Sequence, residues 1–357
     1  MLDDVKLLSD LISIPSVSGT EEAIARFLER TAAAWGLDVV RDETSVRVQV
    51  AGAGPGRTLA FVSHLDTVPA GSGWTRDPFT PLVAGTRLYG RGSGDAKASV
   101  AAMLLAARDL VERGRPDAGR VLVVFGYGEE TKQTSMEQAV ERLGTVDAAV
   151  IGEPTNLGIA VAQRGLMMVD LIAKGEQGHA AYASGNGEQP ANAALALARD
   201  LIKLESLFAE RVHPVLGRVT ATPTMLEAGV SRNVTPPFAR AVLDVRSTPA
   251  WSHQEIVDRL RESLASEVVV TSQRLVPCET PHDSRLLAAA ARVRPQAEHF
   301  GSPTCSDWVF LRHVDAIKCG PGTSRRSHTA DEWVDLPELS EARAFYADLA
   351  REYLRGT

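Results

Sequence analysis

Cysteine is scarce: Cys278, Cys305 and Cys319 are the only three among 357 residues. The count is odd and no CxxC spacing occurs, which argues against a disulfide framework and a thiolate zinc site and fits a reducing cytoplasm. No run of about 18 apolar residues is present, so no membrane span is expected. The opening MLDDVKLLSD is acidic and amphipathic, unlike a secretory signal. Basic residues are scattered and the formal net charge is −7. Neither nucleic acid nor a membrane surface is an expected partner. Internal repeats and low-complexity tracts are lacking as well. What remains is a globular composition, 44% hydrophobic and 23% charged, at a length that suits one large or two ordinary domains.

The information lies in the order of residues. Apolar residues at helical spacing from Val5 to Ile12 predict a first helix, which Pro15 stops, and a second runs from about Glu21 to Trp35. Strands are predicted near 37–41 and 46–50. The apolar run Leu59–Val62 reads as a buried strand that ends in His64-Leu65-Asp66. Residues i and i+2 of an extended segment share a side, so His64 and Asp66 stand together at the strand's carboxyl end, where open α/β sheets place ligands. A carboxylate beside an imidazole fixes its tautomer, as around a metal-bound histidine.

Two further strands end the same way. Val121–Phe125 leads into Gly128-Glu129-Glu130, and Ala148–Ile151 leads into Gly152-Glu153-Pro154. Between them lies GRGSGDAK (90–97), opening a long Ala-rich helix to about Arg113. Its glycines suggest a phosphate cradle, but no GKS or GKT follows and Asp95 would repel a phosphate. The glycines more plausibly turn the backbone sharply and bring Asp95 to a cation.

After about residue 165 the texture changes to β-α-β-β-α-β: strands near 165–173, 217–228, 238–246 and 267–273, with helices at about 191–207 and 253–265. That order predicts a split βαβ, ferredoxin-like α+β unit (166–274) inserted into an α/β domain (1–165 and 275–357) with a mostly parallel sheet flanked by helices. The first domain resumes with a helix near 283–293, a strand at 316–320, and a closing helix from Pro337 to Tyr353.

The rim residues are His64, Asp95, Glu129, Glu130, Glu153 and His328. Two imidazoles and four carboxylates suit a two-metal hydrolytic site for Zn²⁺, with Co²⁺ or Mn²⁺ as substitutes. One carboxylate must bridge the metals and another must stay unligated to accept a proton from water; the adjacent Glu129-Glu130 pair offers one of each. Four carboxylates without a cation would repel one another.

The strings HLDTVP (64–69), GRGSGDAK (90–97), GEE (128–130), GEPT (152–155) and RSHTADE (326–332) together resemble the M20 metallopeptidase/deacylase family. The resemblance covers nearly the whole chain. It implies two Zn²⁺ per subunit: His64, Asp95 and Glu153 on one, Asp95, Glu130 and His328 on the other. It implies Glu129 as general base and proton donor, and Asp66 as the residue that orients His64. His179, in GHAAYA, would reach the partner subunit's site and polarise the scissile carbonyl, with the inserted domain serving as lid and homodimer interface. DPFTP (77–81), VAQRGLMMVD (161–170), GSPTCSD (301–307) and GPGTSRRSHTADE (320–332) resemble the N-acylornithine and N-acylcitrulline deacetylase branch, which implies a small N-acyl amino acid substrate and a place in arginine biosynthesis. Relatives that cleave succinyl-diaminopimelate or carrier-protein-linked lysine share the frame, as do dipeptidases and aminopeptidases.

A substrate α-carboxylate calls for Arg: Arg232, Arg246, Arg164, Arg325 or Arg326, with Asn233 as a donor to the acyl carbonyl. Arg246 would equally serve in an ion pair with Asp244 or Glu227. Backbone N–H groups of Gly322-Thr323-Ser324 are a further candidate for the carboxylate. His213, His253, His282, His299 and His313 lack acids at useful spacing, and Cys305-Ser306 has no convincing base beside it.

Overall fold

A computed structural model describes residues 2–131, 133–182 and 191–355. The last two residues of the GHAAYAS turn, 183 and 184, lie outside it. The chain divides into two compact units: residues 1–161, 280–300 and 306–357 form one, and residues 162–279 with 301–305 form the other.

The first unit is built on a sheet with a parallel centre. Its order runs Asp38–Arg41, Ser45–Ala51, Arg120–Gly126, Thr58–His64, Ala148–Ile151, Asp315–Lys318. The strand Thr58–His64 pairs parallel to Arg120–Gly126 on one side and to Ala148–Ile151 on the other, and Asp315–Lys318 extends the parallel set. Every residue of Thr58–His64 is buried, which explains why it reads as a continuous apolar run rather than an alternating one. The helix Lys97–Arg113 is buried along thirteen of its residues, and its alanines let it lie close against the sheet and the closing helix Leu336–Tyr353. Phe61 at the sheet centre contacts Tyr346 of that closing helix, ring centroids 5.3 Å apart.

Because the three parallel strands end level, their carboxyl ends deliver His64, the 126–130 loop and Glu153 to one edge of the sheet. Two close approaches fix that edge. A Cβ on Gly320 would lie 2.6 Å from the Glu153 carbonyl oxygen, and one on Gly92, at φ +81°, would lie 2.9 Å from the Lys97 side chain.

The second unit contains a four-stranded antiparallel sheet ordered Thr220–Ala228, Phe238–Ser247, Gly165–Lys174, Glu267–Leu275, with helices Ala193–Leu204 and His253–Ser263. In chain order that is β-α-β-β-α-β, the split βαβ arrangement. Ser252 caps the second helix in a reciprocal bond with Glu255. Some elements carry no sequence signal. Leu82–Ala84, Arg87–Tyr89 and Trp333–Asp335 form a small separate sheet, where three-residue strands are too short for a period to show.

Candidate metal centre and active site

Asp95 stands between two imidazoles. Its Oδ1 lies 3.2 Å from His64 Nε2, and its Oδ2 lies 3.7 Å from His328 Nε2. Glu153 Oε1 is 3.8 Å from His64 Nε2, and Glu130 Oε2 is 2.9 Å from His328 Nε2. The five residues thus sort into two sets that share Asp95. One ligand atom from each of His64, Asp95 and Glu130 lies within 4.8 Å of the others. His64 Nδ1 is 2.9 Å from the backbone carbonyl of Asp66, which assigns the proton to Nδ1 and leaves the Nε2 lone pair facing Asp95. His328 sits at φ +64°, an unfavourable conformation for a residue with a Cβ and one that recurs at functional sites.

The electrostatics are those of a centre built around positive charge. Burial pushes Glu153 up to about 7, helped by the charge of Asp95. Burial also raises Glu129 well above the carboxylate range, reinforced by Glu153, Asp307 and Glu130. Burial opposes an imidazolium at His64, yet Asp66, Asp95 and Glu153 hold its pKa well above the ordinary value. His328 is raised first by its bond to Glu130. Carboxylates and imidazoles that compete for protons in this way would release them to a bound divalent cation. Glu153 Oε1 is buried without a hydrogen-bond partner among the described residues, as a vacant ligand oxygen would be. The donor set therefore fits a pair of divalent metals.

Four features hold the centre, and sequence reasoning found only part of them. Asp66 does more than stand beside His64: its Oδ1 accepts the Glu129 N–H and its Oδ2 the Glu130 N–H, both at 3.0 Å, and Ser18 Oγ donates to Oδ2 at 2.6 Å. Glu21 Oε1 accepts the Gly128 N–H at 3.0 Å. Glu332 fills the glycine loop: its Oε1 accepts the N–H groups of Gly94 and Asp95, and its Oε2 those of Gly92 and the Arg91 guanidinium. The apparent phosphate cradle is thus occupied by the chain's own carboxylate. Gln133 Nε2 donates to Glu129 Oε1 at 2.6 Å.

The pattern of the peptidase family M20/M25/M40 matches residues 60–352. The chain belongs to that family. It is a metal-dependent hydrolase of amide bonds. A succinyl-diaminopimelate desuccinylase of Cereibacter sphaeroides is 30% identical, the match covering 99% of each chain. Among solved structures, the aminopeptidase PepT of Bacillus cereus is similar in fold, with TM-score 0.82, 20% identity, and 99% and 98% of the two chains covered. YXEP of Bacillus subtilis, a dinuclear metal-binding M20 peptidase, gives TM-score 0.77 at 17% identity over 99% and 98%.

The remaining candidate residues of this M20 chain lie in the second unit or on the 320–333 loop. His179 is exposed, and its two-residue strand pairs with Val234–Thr235. The Ala180 N–H donates to the Asn233 carbonyl at 2.9 Å, so His179 and Asn233 are neighbours. His179 Nδ1 accepts the Ala181 N–H at 3.1 Å, which puts the ring proton of the neutral form on Nε2. Arg232 is exposed beside Asn233. Arg246 lies near the far end of the strand Phe238–Ser247 and pairs with Asp244 through Nε at 2.7 Å and Nη2 at 3.0 Å. Burial lowers Arg164, as does the nearby charge of Arg246. The Gly322 N–H is donated to Glu338 at 2.6 Å, so it is not turned toward a substrate carboxylate. Arg326 stacks on Trp333, its guanidinium carbon 3.2 Å from the ring centroid. His213 does have an acid partner, Glu279 at 3.2 Å, supplied from 66 residues further along the chain, where local spacing could not reveal it.

Proposed function

We propose that the chain removes the N-acyl group from an N-acyl α-amino acid, with two Zn²⁺ ions held by His64, Asp95 and Glu153 and by Asp95, Glu130 and His328. The observation that carries the reading is Asp95 presenting one carboxylate oxygen to each histidine, with a separate half-buried carboxylate, Glu129, close enough to His64 and Glu153 to feel their charges. The metal pair, when bound, supplies Lewis acidity for the carbonyl and acidifies the attacking water. Glu129 accepts the proton of that water and passes it to the leaving amine. His179 would donate from Nε2 to the developing oxyanion in the partner subunit's site. Co²⁺ or Mn²⁺ would serve in place of Zn²⁺.

The first substrate class to test is an N-succinyl amino acid such as succinyl-diaminopimelate, the substrate in the names of the whole-length relatives. A succinyl amide carries a carboxylate at each end, and the candidate cations and donors for it are Arg232 and Asn233 near His179, then Arg164 and Arg246, the last only by giving up its pair with Asp244. The second reading is N-acetylornithine or N-acetylcitrulline, favoured by the strings at 77–81, 161–170, 301–307 and 320–332.

The inserted unit would also carry the contact between two copies. Its strand Thr220–Ala228 is a sheet edge exposed on both faces, with Met225 67% and Leu226 66% accessible, and an open edge of that kind invites pairing. Sedimentation of wild type and Leu226→Lys tests this; a wild-type monomer at micromolar concentration refutes it.

The deciding experiment measures turnover of succinyl-diaminopimelate, N-acetylornithine, N-acetylcitrulline, N-acetyllysine and simple dipeptides, with and without Zn²⁺ or Co²⁺, in wild type and Glu129→Ala. Metal-dependent hydrolysis of an N-acyl amino acid, lost in the variant while metal stays bound, is the expected result. Hydrolysis of dipeptides alone overturns the substrate class. A fully active Glu129→Ala overturns the role of Glu129.

A further inference from the structure

We propose that Gln133 is a positioning residue for the hydrolysis: its carboxamide holds the Glu129 carboxylate by one oxygen and leaves the other to take the proton from the attacking water. This rests on the role given to Glu129 above and deepens it.

The contact is short and its setting is built for it. Gln133 Nε2 lies 2.6 Å from Glu129 Oε1, and the glutamine is only 5% exposed. Its other amide atom, Oε1, is buried with no partner among the described residues. A buried amide costs free energy unless hydrogen bonds offset its desolvation. Among the described residues, the bond to Glu129 is the one its side chain makes. A glutamine buried for general stability would be expected to satisfy both ends.

The backbone is arranged to bring the amide there. Gln133 has φ +53°, uncommon for a residue with a side chain, and sits immediately before the helix Thr134–Glu141. Its N–H donates to the Gly128 carbonyl at 2.9 Å, which ties it to the residue just before Glu129. Asp66 fixes the Glu129 backbone from below, at 3.0 Å. The base is therefore held twice, by the main chain through Asp66 and by the carboxylate through Gln133.

The chemistry needs such a hold. Glu129 stands between the attraction of His64 and the repulsion of Glu153, Asp307 and Glu130, so a carboxylate pulled both ways needs a fixed rotamer to offer one oxygen to the water. An amide NH₂ is neutral and donates, so it steadies the ionised carboxylate without neutralising it or competing for the water's proton. A lysine at this place would form an ion pair and weaken the base. A hydroxyl would be too short to reach from four residues along the loop.

The test compares Gln133→Met, of similar length but without a donor, with wild type in the metal-loaded enzyme on the best substrate of the panel. The expected result is a fall in kcat of roughly 10- to 100-fold, the value of a hydrogen bond to a charged group. KM should stay within about twofold and bound metal should be unchanged, because the interaction serves the proton transfer rather than uniform binding. In a Glu129→Ala background the same substitution should change nothing further. An unchanged kcat, or an equal loss with and without Glu129, overturns the proposal. If the Met variant fails to fold, Gln133→Asn, which keeps the amide but withdraws it by about 1.5 Å, is judged by the same ratios. If only dipeptides are hydrolysed, the N-acyl reading falls, and the ratios measured on a dipeptide still decide the role of Gln133.

Discussion

Each carboxylate oxygen of Asp66 accepts a backbone N–H from the Glu129-Glu130 pair, at 3.0 Å in both cases. One buried side chain thus sets the position of a candidate base and of a candidate metal ligand, while its own main-chain carbonyl fixes the tautomer of His64. Burial alone would raise Asp66, but the bond from His64 and those from Ser18 and Glu130 hold it at about 2. It is therefore ionised at any working pH. Asp66→Asn keeps the shape but turns an NH₂ toward an N–H donor. The expected loss is about 10- to 100-fold in metal affinity or kcat/KM, the usual cost of removing such a support. A chelator-competition titration together with steady-state kinetics checks it; unchanged values for both would rule out the supporting role.

Glu332 gives a second prediction. Its carboxylate and Arg91 are each 1% exposed and 2.7 Å apart. Removing one partner strands a buried guanidinium, at a cost of roughly 3–5 kcal/mol. Glu332→Ala should therefore lower stability by about that much in chemical denaturation. It should also weaken metal binding, since three N–H groups of the loop that carries Asp95 lose their acceptor. A variant as stable as wild type would mean that the loop keeps its shape without the carboxylate.

These two residues mark where the sequence was readable. The strand ending at His64 announced itself because it is covered on both faces, and a seven-residue buried strand leaves a continuous apolar run. The inserted unit was legible from its order of elements, and its ten-residue strand Phe238–Ser247 is long enough for the alternation of buried and half-buried positions to show. The candidate metal ligands stood out because acids and imidazoles at the ends of buried strands need a reason. Of the supports, only Asp66 stood out. Glu332 and Gln133 meet their partners through loops whose turns follow no period. Glu332 lies 237 residues from the N–H of Asp95, and Gln133 reads as one more polar residue in TKQTSM. Arg246 was open between substrate and ion pair, and its bidentate bond to Asp244 is the local one that an i, i+2 pair on a strand can always make.

Arg343 should be a point of stability away from the site. It joins three helices: Nε and Nη2 bind the two oxygens of Asp109 at 2.6 and 2.7 Å, and Nη1 binds Asp4 at 2.9 Å. Both acids are nearly inaccessible, at 5% and 1%. Arg343→Ala should cost about 3 kcal/mol or more, with kcat/KM little changed, since the contact touches none of the candidate ligands. Arg343→Lys should recover only part of the loss, because an ammonium cannot match the paired geometry with Asp109. Urea denaturation of the three proteins checks the order; equal midpoints would show the network to be neutral.

Acid should act on Asp42 in a defined window. Burial would raise this carboxyl, but the Thr44 hydroxyl and N–H, the charge of Arg47 and the Ser45 N–H outweigh it and hold the group at about 2. The unfolded chain binds the proton nearer pH 4. A depressed pKa stabilises the folded state above the unfolded value, and that contribution disappears as pH falls through about 4 toward about 2. The side chain is 16% exposed, so the effect is only lightly screened, and its size is about 2 kcal/mol at neutral pH. Asp42→Asn should thus be less stable than wild type at pH 7 by about that amount, and the two denaturation curves should converge as pH approaches 2. A gap that stays constant from pH 7 to pH 2 would assign the loss to the altered hydrogen bonds of the 42–45 turn rather than to the charge.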